Sequence, residues 1–121
     1  MFRNLFSGWF IEIEEALDAL NAGSEFCNRG DYQRAIKAYD EAIGLKQDYA
    51  DAYYNKGLAL SKLSRHEDAI AAFNEAIRLK PEDNEFCASA YVNKGTALDV
   101  LSRYEEAVLA YDEAIRLKPE D

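Results

Sequence analysis

The chain has 121 residues, and its 14 Lys plus Arg against 23 Asp plus Glu give a formal net charge of −9, which disfavours a phosphate backbone or an anionic lipid surface as partner. Hydrophobic residues at 49 % and charged residues at 31 % describe one ordinary globular domain rather than a disordered chain. Cys27 and Cys87 stand sixty residues apart with no His or second Cys nearby, so neither a zinc knuckle nor a CxxC pair can be written, and two reduced thiols in a cytoplasmic protein are expected. No run of about 18 apolar residues exists to span a membrane.

In chain order, Phe2, Leu5, Phe6, Trp9, Ile13, Leu17 and Leu20 form a stripe at helical spacing, and no turn signal interrupts Trp9 to Leu20. The apolar opening is short and runs straight into Glu12, Glu14 and Glu15, which does not fit a secretory signal. Residues 1–15 read as a helical extension of the element that follows or as a half-repeat. In the second reading Phe2, Leu5, Gly8 and Trp9 align with Ile36, Tyr39, Ala42 and Ile43. A membrane-surface helix is disfavoured, because Arg3 is the only cation on it.

From residue 16 the chain repeats itself. The stretch LSRHEDAIAAFNEAIRLKPED ends at Asp83, and LSRYEEAVLAYDEAIRLKPED ends at Asp121. Aligning Gly57 with Gly95 and stepping back to Gly23 gives three units, 16–49, 50–83 and 88–121, with NEFC inserted at 84–87. Stacked supersecondary units are the physical reading of such a period, because none can bury its apolar face alone. Each unit holds two helical patterns. In the second, Tyr53, Lys56, Gly57 and Leu60 recur at helical spacing, then Ala69, Ile70, Phe73, Ala76 and Ile77. Between the patterns Ser64 with Glu67, and Ser102 with Glu105, write capping boxes; NRGDYQ, with Gly30 and Gln33, is a weaker version. Pro81 and Pro119 are expected to end the second helices. The insertion is close to one helical turn, so it should lengthen the first helix of the third unit and set Phe86 beside Ala90. A mid-helix glycine in each unit wants a close neighbour as its reason, and Ala35, Ala69 and Ala107, followed by Ala42, Ala76 and Ala114, supply small side chains on the second helices.

The pattern resembles the tetratricopeptide repeat family. Its small residue, alanines, late aromatic and final proline fall on Gly57, Ala69, Ala76, Phe73 and Pro81, and again on Gly95, Ala107, Ala114, Tyr111 and Pro119. The first unit departs, with Gln47 for the proline and Ala19 for the leading aromatic. The resemblance implies an all-α solenoid of antiparallel helix pairs in a right-handed superhelix. Its concave groove would be lined by the first helix of each pair.

No G-x-S-x-G, HExxH, P-loop or EF-hand spacing occurs, so no enzyme activity, metal or cofactor is expected. His66, the only histidine, occupies the place of Tyr32 and Tyr104 and should fill the same niche at a helix-helix turn. Acidic residues among Lys and Arg read as a solvated face of (i, i+4) pairs. If the family geometry holds, the groove positions include Leu17, Leu20, Asn21, Ser24 and Cys27, then Asp51, Tyr54, Asn55, Leu58 and Lys62, then Ser89, Val92, Asn93, Thr96 and Val100. An asparagine amide at 21, 55 and 93 can donate to and accept from an extended peptide; helix packing is the alternative role. In relatives that hold a peptide carboxylate, a clamp of two lysines, an arginine and two asparagines occupies positions that fall here on Leu20, Ser24, Asn55, Ser89 and Asn93; one asparagine matches and every cation is missing. An apolar peptide suits Leu20, Tyr54, Leu58 and Val92 better. The expected role is a protein-interaction scaffold. The alternative is a self-associating module, with Phe2, Leu5, Phe6 and Trp9 forming a homo-oligomer, a dimer being favoured over a filament built on the uncovered face at Leu109, Tyr111 and Ile115.

Overall fold

The computed structural model describes residues 2–119, with side chains from residue 8. There the chain forms α1 (Phe2–Asn28), α2 (Tyr32–Leu45), α3 (Ala50–Lys62), α4 (His66–Leu79), α5 (Asn84–Val100) and α6 (Tyr104–Leu117), and no strand among the described residues. The helices pack as pairs, α1 on α2, α3 on α4 and α5 on α6, and α3 and α5 seat against the preceding pair.

Two devices set the helix ends, and neither is the expected capping box. Ser64 and Ser102 lie at φ 60°, and Gly30 at φ 78°, each just past the end of a first helix. The Arg65 N–H donates to the Leu60 carbonyl at 2.9 Å and the Ser64 N–H to that of Ser61 at 3.0 Å. Ser102 with Arg103, and Gly30 with Asp31, repeat both bonds. This is a Schellman closure of the preceding helix, in which the left-handed residue returns the chain so that orphan carbonyls find donors. The serine is thus consumed at the C-terminus of one helix, and Arg65 and Arg103 begin the next without a side-chain cap. Side-chain caps occur at Asp31, which accepts from the Arg34 N–H at 3.2 Å, and at Asp83, which accepts from the Phe86 N–H at 3.0 Å. The latter starts α5 at the insertion and makes it 17 residues long against 13 for α3. Helix α2 stops at Leu45 without a proline, just as α4 and α6 stop before theirs.

The repeated glycines have a different neighbour from the one the alanines implied. A Cβ on Gly57 would lie 2.6 Å from Cε1 of Phe73, one on Gly23 would lie 2.4 Å from Tyr39, and one on Gly95 would lie 2.6 Å from Tyr111. Each glycine therefore receives the edge of the late aromatic of the paired helix. Tyr39 and Phe73 are fully buried and belong to one cluster with Ile36, Ala59, Leu60 and Ala69, spanning α2 to α4. A second cluster joins Ile70 to Ala97, Leu98 and Ala107. No polar or charged side chain is buried among the described residues, so apolar contact holds the stack together. The local surface ion pairs are made at (i, i+3), not (i, i+4), as in Arg65–Asp68 and Arg78–Glu75, while others, such as Lys56–Asp40 and Arg103–Glu67, join different helices; being exposed, the local pairs contribute little.

The two ends of the stack differ. Helix α1 runs 27 residues without a break, about 40 Å, and Trp9, Phe10, Ile11 and Ile13 on its first half are exposed. Phe2, Leu5 and Phe6 lie outside the residues whose side chains are described. On α6, Val108 is 55 % exposed where its counterparts Ile36 and Ile70 are buried at 9 % and 8 %, because no helix among the described residues covers it.

Candidate functional site: the surface of the first helices

Helices α1, α3 and α5 lie side by side, and the groove positions fall into three groups. Ser24, Asn55, Leu58 and Lys62 line one recess of ≈ 290 Å³, together with Cys27, Asn28, Tyr32 and Tyr39. Its floor is the Tyr39 hydroxyl, 3.4 Å from Ser24 Oγ and 3.5 Å from Cys27 Sγ. Burial is the main reason the Tyr39 phenol is pushed up to about 12. Ser24 also donates to the Leu20 carbonyl at 3.2 Å, and Leu20 itself packs against the core.

Tyr54 and Asn93 form the second group. The Asn93 amide donates to the Tyr54 hydroxyl at 3.0 Å and to the Ser89 carbonyl at 2.9 Å, which ties α5 to α3. Burial raises the Tyr54 pKa, and the Asn93 bond partly offsets it. Phe86 joins this group. Its ring lies 5.5 Å from that of Tyr54 and under Lys80 Nζ at 4.9 Å, while Lys80 also pairs with Asp51 at 3.7 Å. The insertion thus reaches back to the previous repeat, beyond the expected neighbour Ala90. Only the placement of a lone Phe in a four-residue insertion signalled this in the sequence.

Val92 and Thr96 make up the third group, toward α6. Val92 borders a second recess of ≈ 340 Å³ with Ser89, Tyr111 and Ile115. The Thr96 hydroxyl donates to the Val92 carbonyl at 3.0 Å and lies 3.3 Å from that of Tyr111.

The three equivalent asparagines are therefore not equivalent in use. Asn93 is engaged twice, whereas Asn55 makes no side-chain hydrogen bond to any described residue and opens into the first recess. Asn21 is exposed and stands apart from both recesses. Lys62 is exposed, with no ion pair to any described residue. A free amide, a free ammonium, the Ser24 hydroxyl and the Leu58 side chain thus meet at one place. They can hydrogen-bond a main chain and bury an apolar side chain; no nucleophile–base pair accompanies them. Among the described residues no group of His, Cys, Asp and Glu could hold a metal ion. His66 stands at the α3–α4 turn with its Nδ1 buried and without a partner, whereas Tyr104 in the same position of the third unit is 60 % exposed.

Sequence comparison matches residues 20–84 and 88–121 to models of the tetratricopeptide repeat. The chain belongs to the tetratricopeptide repeat family. An uncharacterized protein of Methanocaldococcus jannaschii is 43 % identical over 61 residues, which are 50 % of this chain and 71 % of that one. Stress-induced-phosphoprotein 1 of Caenorhabditis elegans is 33 % identical over 70 residues, 58 % of this chain but 22 % of the relative, so the match covers a module of a much longer protein. Among solved structures, the TPR2B domain of yeast Sti1 in its complex with pHsp70 superposes with a TM-score of 0.81 at 33 % identity, over 88 % of this chain and 82 % of that one. The repeat family and the all-α solenoid stand on these matches and on the six helices together. A tetratricopeptide repeat is a protein-interaction module, and no helix of the described residues is long and apolar enough to cross a membrane.

Proposed function

We propose that this repeat domain is a non-catalytic scaffold that holds an extended peptide segment of a partner protein along α1, α3 and α5. Asn55 carries the reading. It is a partly buried amide with no side-chain partner among the described residues, at the mouth of a recess walled by Leu58 and Tyr32, and an unpaired amide there is free to bond an incoming peptide group. Leu20, Tyr54, Leu58 and Val92 give the surface an apolar character. The likeness to a Sti1 domain solved with an Hsp70 partner supports the peptide class, and the absence of every clamp cation favours apolar over acidic segments. Selection of displayed random heptapeptides on the folded protein tests this. Enriched peptides should carry apolar residues in alternation and lose binding to Asn55→Ala and Leu58→Glu variants. Failure to enrich any sequence, or binding that survives both changes, refutes the groove.

A second reading rests on the exposed stripe of α1. Trp9, Phe10, Ile13 and Leu17 are 36 % to 56 % exposed, and apolar surface of that kind gains by being covered. Two copies joined stripe to stripe would form a closed two-fold dimer. Light scattering over a concentration series should show a dimer for the intact chain and a monomer once residues 1–10 are removed. A monomer in both eliminates it.

A further inference from the structure

The repeats serve as references for one another, and one position breaks the pattern. Between α2, α3 and α4 lies a recess of ≈ 350 Å³ lined by Asp40, Tyr53, Lys56 and Arg65; it shares no residue with the groove. Its counterpart one repeat on, ≈ 480 Å³ between α4, α5 and α6, is lined by the corresponding Asn74, Tyr91, Lys94 and Arg103. In the first recess Lys56 Nζ stands 2.6 Å from Asp40 Oδ1. In the second the lysine is kept and its carboxylate is gone, because residue 74 is Asn; the third repeat returns to Asp112.

Lys94 consequently makes no ion pair with any described residue; its ammonium lies 5.9 Å from the Tyr91 ring and feels Glu106 only through space. The two carboxylates that line this recess are already engaged, Glu106 by Arg103 and Glu113 by Arg116. Burial pulls the Lys94 pKa below its ordinary value, while Glu106 and Arg103 act on it in opposite directions. A partly buried cation without a counter-ion is costly, and an incoming anion would relieve that cost.

We propose that the recess bounded by Asn74, Tyr91 and Lys94 is a second docking site, one that receives a carboxylate side chain of a partner protein in the place Asp40 takes on Lys56. The chain itself displays the fitting chemistry, since a carboxylate already fills the homologous position. The Asn74 side-chain amide has no partner among the described residues and can add a second donor. Leu109, 69 % exposed at the rim, offers a contact for an apolar neighbour of the acidic residue. A phosphate suits the recess less well. One lysine balances a single negative charge, and Glu106 and Glu113 repel a second.

The test is a titration of the ¹⁵N-labelled protein with N-acetyl-Leu-Asp-Leu-amide, its Asn counterpart and inorganic phosphate, followed at the amides of Asn74, Tyr91 and Lys94. The Asp peptide should give saturable shifts there and the Asn peptide none. Lys94→Met and Asn74→Asp should each abolish them, the latter by supplying the carboxylate internally. Asp40→Asn should create a new saturable site at Tyr53 and Lys56. Equal response to the Asp and Asn peptides, no site gained in Asp40→Asn, or tighter saturation by phosphate overturns the proposal. Melting curves of each variant confirm that it is folded, and Lys94 shows that the fold tolerates an unpaired lysine at this position.

Discussion

Replacing Gly57 by alanine sets two known effects against each other. In a helix interior the change gains about 1 kcal/mol from propensity. At this site the new Cβ would lie 2.6 Å from Phe73 Cε1 and 2.9 Å from both Cδ1 and Cζ, whereas carbon atoms pack at about 3.5–4.0 Å. Roughly 1 Å must therefore be found. The Phe73 ring cannot supply it freely, since it is wholly buried and rests edge-on against Tyr54 at 5.8 Å. Overpacking of this kind costs about 1–3 kcal/mol, and a displacement of this size points to the upper part of that range. The net expectation is a loss of about 1–2 kcal/mol, a fall in Tm of roughly 4–8 °C for a domain of this size. Gly44→Ala is the control. Nothing lies within 4 Å of its Cβ position, so the propensity gain should appear alone, up to about 1 kcal/mol near the end of α2. Urea unfolding followed by circular dichroism measures both variants. If Gly57→Ala matches Gly44→Ala in sign, the close approach of the aromatic is not what holds glycine at 57. If the loss is real, Gly57→Ala with Phe73→Leu should lose less than the sum of the single changes.

Ser64→Gly and Ser102→Gly should each stabilise by about 0.5–1 kcal/mol, because both serines occupy a left-handed conformation that glycine adopts without strain; unchanged thermal midpoints would contradict the Schellman closure. Asn55→Ala should weaken a selected groove peptide by about 1–3 kcal/mol with no change in melting, whereas Asn93→Ala, which loses its bonds to Tyr54 and Ser89, should lower stability by about 1 kcal/mol. Calorimetry of binding beside a melt of each variant separates the two roles, and equal behaviour would reject the division. Burial keeps the Tyr39 phenol protonated up to about 12, so its contribution is intact below an unfolded value near 10 and is lost as pH rises through the folded one. Tyr39→Phe, the side chain already found at Phe73, should make the decline in urea midpoint between about pH 10 and pH 12 shallower; an equally steep decline would show that Tyr39 does not drive it.

The helix pairs were legible because the signals that specify them are local. Gly57 and Gly95, Phe73 and Tyr111, and the paired alanines recur at fixed distances, and helical periodicity assigns them to facing sides without knowledge of the third dimension. What the glycines face was not legible. Alanine and the aromatic lie on the same side of the second helix, and only the packing shows that the ring edge, not the methyl, fills the missing Cβ. The capping boxes failed for a related reason. Ser-x-x-Glu at 64 and 102 fits the start of a helix, but the same serine also closes the helix before it, and the two bonds made there fix it in that role.

Equivalent residues in the three units divide into those that packing constrains and those it leaves free. Ala35, Ala69 and Ala107 are identical and buried, as close helix contact demands. Leu20, Tyr54 and Val92 differ, as do Ser24, Leu58 and Thr96, although they occupy one register of the first helices. The scaffold therefore does not dictate their chemistry, and variation along the groove produces unlike recesses from like backbones. Asn21, Asn55 and Asn93 show the converse. Identity at one register conceals three environments, one exposed, one open to a recess and one bound to Tyr54 across the helix interface. The difference arises from neighbours, since Tyr54 supplies an acceptor for Asn93 where Leu20, one repeat earlier, has none to offer Asn55. The same residue at the same register is thus a structural tie at 93 and stands without a side-chain bond to any described residue at 55.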